Sequence, residues 1–272
     1  MKLILRRRIR NTLATLVIVV LLGLILSAQE ASLQRSAFTS GYILLPAVLF
    51  LASYNLRKKL PFLPLGNSSS WMQLHIYIGW GTIAIFLMHV GFRLPSGRLE
   101  CMLATLYSIV AGSGIYGLYM TRTIPRKLTA IRQEVIFEQI PAIRRQVSVQ
   151  ARALVLASSS DSPLFAEMYQ NRLSRFFETP RSPWYYLHPN GQLRRKLIAE
   201  LEDMNRYLSQ SQRAVSQQLA ALVYRKDDVD YHHALQGRLK VWLFAHVGFT
   251  YSLVAVSLLH AVLAHAFHGA MR

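Results

Sequence analysis

Cysteine, acidic residues and charge in general are scarce in this chain of 272 residues. Its single cysteine, Cys101, excludes a disulfide framework, a four-cysteine zinc or iron–sulfur site and thiol attachment of a c-type haem. Only 16% of the residues are charged and 52% are hydrophobic, more apolar than an ordinary soluble domain. The 13 Asp+Glu are outnumbered by 31 Lys+Arg, giving a formal charge of +18. With one thiol and few carboxylates, any metal must be held mainly by the nine histidines.

A bilayer core needs about 20 apolar residues in a helix. Uncharged runs near that length occur five times, at 11–28, 38–55, 71–92, 101–121 and 241–267. We therefore expect an all-α integral membrane protein in contact with lipid. Residues 1–121 carry four transmembrane helices, 122–240 form a helical insert, and 241–272 supply the fifth span. Arg6, Arg7, Arg8 and Arg10 precede the first run as in a signal peptide, but its length favours a retained span.

Charge sets the expected orientation. Lys2 to Arg10, Arg57 to Lys59 and 122–240 together hold 27 of the Lys+Arg, against Arg35, Arg93, Arg98 and Arg272 on the other side. By the positive-inside rule the N-terminus and the insert are cytoplasmic and the C-terminus lies outside a bacterial-type inner membrane. The basic balance is then mostly topology, and with no nucleic-acid motif we expect no nucleic-acid partner.

Within the insert, apolar residues recur at helical spacing over 128–156, with Pro141 expected to end or kink that helix. Ser158 to Pro163 is a turn capping a helix over 164–177, and 178–191 is a loop rich in Pro and aromatics. A long helix over 193–224 presents Leu197, Leu201, Met204, Leu208, Val215, Leu219 and Leu222 as a stripe that packs on the first. No phosphate loop, flavin site or nicotinamide site is recognisable there. Gly112-Ser113-Gly114-Ile115-Tyr116-Gly117 spells the dinucleotide fingerprint but lies inside the fourth span, where it marks a smooth helix face instead.

Four intramembrane histidines carry the chemistry. His75 and His89 lie on the third span, His246 and His260 on the fifth, and each pair is 14 residues apart. Fourteen residues bring a side chain back to within about 40° of the same helix face, about 21 Å further along the axis. Each histidine therefore needs a partner on another helix, and the parallel direction of these two spans allows His75 to face His246 at the inner level and His89 to face His260 at the outer level. The five runs contain no Asp or Glu, so two histidines fall short of the four ligands zinc takes. A porphyrin supplies four nitrogens itself, and two axial histidines complete octahedral iron. The expected cofactors are two non-covalent haems b, one at His75/His246 and one at His89/His260.

With these two histidine pairs around one intervening span, the chain resembles the di-haem transmembrane b-type cytochromes, among them the ferric reductase-like transmembrane domain and the cytochrome b of quinol-oxidising complexes. The resemblance covers the third to fifth spans only. It implies transmembrane electron transfer, with a redox partner protein or quinone and a place as a subunit of an oxidoreductase complex. The chain departs from the ferric reductase pattern in lacking a sixth span and a flavin–nicotinamide module, and from cytochrome b in the residues inserted at 122–240. Two other functions stay open: a reductase or quinol oxidoreductase with its own substrate site, and a haem-free scaffold or signalling protein.

Other candidates surround the four histidines. Arg93 could pair with anionic propionates of the outer haem and Arg238 or Lys240 with those of the inner one, or all three could be basic residues at span ends. Gly79 and Gly114, with Gly112 and Gly117, could make room for flat rings or for helix packing. His265 and His268 read as interfacial side chains, and Asp227 to His233 as a solvated segment before the fifth span. Met72, Met88, Met102 and Met120 read as packing or lipid-facing residues.

Overall fold

A computed structural model describes residues 2–32, 36–59, 67–131, 135–158 and 167–268. Among the described residues there are helices and no strands. Four long helices come first: α1 (Lys2–Ala31), α2 (Ser36–Lys59), α3 (Ser68–His89) and α4 (Arg98–Thr129). The insert contributes α5 (Ile140–Ser158), α6 (Ser174–Glu178), α7 (Pro183–Leu187) and α8 (Gln192–Met204), and α9 (Gln210–His268) closes the chain. Five of these, α1 to α4 and α9, are long and apolar enough to cross a membrane. Their surfaces agree with that chemistry: Leu24 is 63% exposed and Phe244 79% exposed, a cost in water that lipid removes. In α9 the apolar stretch is the C-terminal part, from Val241 onward.

The chain divides into two compact units, Met1–Gly117 with Leu243–Arg272, and Leu118–Trp242, so α4 and α9 each contribute to both. In the first unit α2 packs along α3, and α1 packs on both. Val48 of α2, Tyr107 of α4 and Leu253 of α9 form its buried core, with Phe86 of α3 stacked on Tyr107 at 4.1 Å. Pro46 is accommodated inside α2 and Pro125 inside α4.

The third span stops earlier than its apolar run. His89 is the last helical residue, Gly91 takes φ +61°, and the Phe92 and Gly91 amides donate to the carbonyls of Leu87 and Met88 at 3.0 and 3.1 Å. This pair of bonds is a Schellman cap, whose left-handed position favours glycine.

The second unit differs from the sequence expectation in several places. The helix expected over 128–156 is two helices, because α4 runs on to Thr129 and α5 begins at Ile140 after a 3₁₀ turn. Pro141 sits in the first turn of α5, where its missing N–H costs nothing, and so starts a helix rather than kinking one. Ser158, expected to open a turn, is the last residue of α5, and the rest of that turn with the start of the next helix falls at 159–166, outside the described residues. Beyond them a π turn at Tyr169–Leu173 leads into α6, and the loop expected at 178–191 contains α7.

The helix expected over 193–224 is broken. After α8 and a 3₁₀ turn, Leu208 is extended, and Ser209 and Gln212 bond each other's backbone amides, a capping box that opens α9. The apolar stripe nevertheless packs as expected: Leu197, Leu201, Leu208 and Leu219 are buried with Val147, Ala151 and Val155 of α5.

Asp227, Asp230 and His232 of the run before the fifth span are buried, contrary to the solvated segment expected, while Asp228 stays partly exposed. Asp230 is 0% and Asp227 4% exposed. Asp230 meets Arg144 at 2.6 Å, Arg181 at 2.8 Å and Lys226 at 2.6 Å, while Asp227 meets Arg181 at 2.5 Å and Arg194 at 3.3 Å. Cations from α5, α8 and the segment before α7 thus converge on one face of α9, which sequence periodicity alone does not reveal. Burial pushes the Asp227 carboxyl up, against the pull of Arg181 and Arg194, and pushes the Lys226 ammonium down.

Candidate haem site

The outer histidine pair meets. The rings of His89, in the last turn of α3, and His260, on α9, lie with centres 6.5 Å apart and planes at 88°. Both line a cavity of about 570 Å³ in the first unit, walled by apolar residues of α2, α3, α4 and α9 such as Leu44, Val48, Phe86 and Leu253. Two imidazoles on opposite sides of one metal, each bonded at about 2 Å, have ring centres roughly 6 Å apart. The separation and the adjoining apolar cavity fit a bis-histidine haem.

Helix α2 supplies three groups that the histidine spacing did not point to. Ser40 Oγ lies 3.0 Å from His89 Nδ1 and is itself 1% exposed. A Cβ on Gly41 would stand 3.2 Å from His89 Cε1, tighter than ordinary packing, so glycine is what lets the imidazole lie against α2. Tyr42 donates its hydroxyl hydrogen bond to His265 Nε2, since His265 Nδ1 bonds the Ala261 carbonyl at 2.9 Å. His265, expected as an interfacial side chain, therefore lines the same cavity.

Arg93 also lines this cavity, brought to it by the Schellman turn that follows His89. It shares that lining with Glu100.

The inner pair is less completely framed by contacts. His75 packs on the ring of Tyr54, centres 5.1 Å apart. His246 Nδ1 lies 2.7 Å from Ser113 Oγ, and a Cβ on Gly114 would stand 3.7 Å from His246 Cε1, an ordinary contact. Gly79 has open space where a Cβ would be. Lys240 belongs to the second unit, where it meets Glu138 at 2.7 Å and covers the Phe137 ring, and Arg238 is in that unit too. Lys240 is thus committed to an acid of the insert, a pairing between residues about a hundred positions apart that no local pattern signals. The side chain of His268 lies outside the described residues.

The methionines divide as packing and surface groups: Met120 is buried with Ile124 and Leu235, Met88 lies against Gly23, and Met72 and Met102 are exposed. Among the described residues no three His, Cys, Asp or Glu side chains gather closely enough to hold a metal by themselves.

No protein-family model matches the chain, and no curated protein and no solved structure matches it.

Proposed function

We propose that the chain is a membrane di-haem cytochrome b that carries electrons across the bilayer, with one haem b on His89 and His260 and a second on His75 and His246. The observation that supports it most is the facing pair His89/His260 beside an apolar cavity. Repetition of the same 14-residue spacing on α3 and α9 supports the second site.

Haem bound at these sites supplies one-electron iron(III)/iron(II) chemistry. The residues hold, orient and insulate it. His89 and His260 would offer two imidazole nitrogens, and Leu44, Val48, Phe86 and Leu253 would surround the ring with apolar side chains. Arg93 would pair with anionic propionates at the rim. The axial rise of about 21 Å between the two histidine levels spans most of a bilayer core of about 30 Å. A redox partner protein or a quinone delivers and removes electrons, and the basic insert, on the cytoplasmic side of a bacterial-type inner membrane, is the dock for a protein donor.

The decisive experiment is a reduced-minus-oxidised visible spectrum of the purified chain with pyridine haemochrome quantitation. About two haems b per chain are expected. A colourless protein from haem-supplied cells would overturn the proposal in favour of a scaffold.

A further inference from the structure

We infer that Ser40 and Ser113 are positioning residues that hold His89 and His246 with the ring proton on Nδ1, leaving Nε2 as the atom that binds metal. The inference rests on the haem reading above and adds which atoms of the chain prepare its ligands.

The Ser40 hydroxyl has one proton and three polar neighbours. Two are the carbonyl oxygens of Ser36 and Ala37, at 2.9 and 3.0 Å, and carbonyls only accept. With the hydroxyl proton on either carbonyl, Ser40 Oγ is left as an acceptor, and the inferred direction of the 3.0 Å contact is from His89 Nδ1–H to Ser40 Oγ. The same holds on another helix pair. Ser113 Oγ lies 2.8 Å from the Val110 carbonyl and 2.7 Å from His246 Nδ1, and the same direction is inferred there.

A neutral imidazole has one N–H and one lone pair, so fixing the proton on Nδ1 fixes the lone pair on Nε2. Anchoring that N–H also fixes the ring's rotation and makes the ligand more electron-donating, which stabilises the ferric form. Each serine sits on a helix that carries no proposed ligand, Ser40 on α2 and Ser113 on α4. Helix α2, outside the three spans of the resemblance, thereby becomes part of the outer site, and Gly41 beside Ser40 lets the ring approach.

An ordinary interhelical hydrogen bond would contribute to stability alone. The test separates the two roles by measuring midpoint potentials and haem loss in the full-length, haem-loaded protein. Ser40→Ala is expected to raise one of the two potentials and Ser113→Ala the other. Each is expected to speed haem loss at its own site about 10-fold, the lower end for removing a partner of a metal-bound histidine. Ser40→Thr, which keeps the hydroxyl, should restore both values. Potentials and haem-loss rates unchanged in both alanine variants would overturn the inference while leaving the haem reading intact. Should the alanine variants fail to fold, ¹⁵N spectra of histidine-labelled, reduced wild type decide: Nδ1–H at His89 and His246 is expected, and Nε2–H overturns it. Wild type without haem overturns the haem reading and this inference together.

Discussion

His89 and His260 face each other with their rings at 88° and their centres 6.5 Å apart. Two imidazoles held at right angles would donate equally to two d orbitals of an iron bound between them. A haem held between these crossed rings, as proposed above, would give a highly anisotropic low-spin ferric EPR signal. His89→Ala should remove that signal and one of two haems. A rhombic signal of low anisotropy from both haems would contradict the crossed rings.

The glycines of the site differ sharply in what an added methyl group meets. Gly41→Ala places a Cβ against His89 and is expected to lower outer-haem occupancy several-fold while the other haem stays. Gly79→Ala meets open space and should instead stabilise α3 by up to about 1 kcal/mol through helix propensity. Haem quantitation and thermal unfolding of both variants check the contrast. Equal haem content in the two would show that α2 does not constrain the ligand.

Asp230 organises the second unit through Arg144, Arg181 and Lys226. Removing one partner of a buried ionic network leaves the others desolvated and uncompensated. Asp230→Ala is expected to destabilise the unit by about 3–5 kcal/mol. The partly exposed pair Arg172 and Glu200, 4.0 Å apart, should contribute less than about 1 kcal/mol. Denaturant midpoints or resistance to limited proteolysis distinguish the two. A loss below about 1 kcal/mol for Asp230→Ala would remove the network's structural role.

His233 predicts how the insert responds to acid. Burial, reinforced by the Arg144 guanidinium at 3.2 Å, holds its imidazole below the ordinary histidine value, with Asp230 opposing. The unfolded chain therefore takes up this proton first as pH falls. The stability His233 contributes is complete above about pH 6.5 and is lost as pH falls through that value towards the lower folded one. Unfolding of the wild type followed between pH 7.5 and 5 should show this loss, and His233→Gln should flatten that part of the profile. Identical profiles would count against the burial of a neutral ring.

Much of the local structure was readable from residue order. Apolar runs marked the five long helices, and the stripe from Leu197 to Leu222 marked the face buried in the insert. The break at 205–209 also had a local sign, since Ser209 and Gln212 stand at capping-box spacing, but the continuous stripe obscured it. Pro141 carried two local meanings, and the helix start prevailed because α5 begins beside it.

The sequence by itself determined the helical class, the apolar lengths and the placing of His75/His89 and His246/His260 on single helix faces, because these follow from periodicity along one chain segment. Only the tertiary structure decided that Ser40 and Gly41 meet His89, that Tyr42 meets His265, and that four basic side chains converge on Asp227 and Asp230. A helical period says which residues share a face. Which face of a second helix it meets depends on the rotation and crossing of both, set by packing of the whole unit.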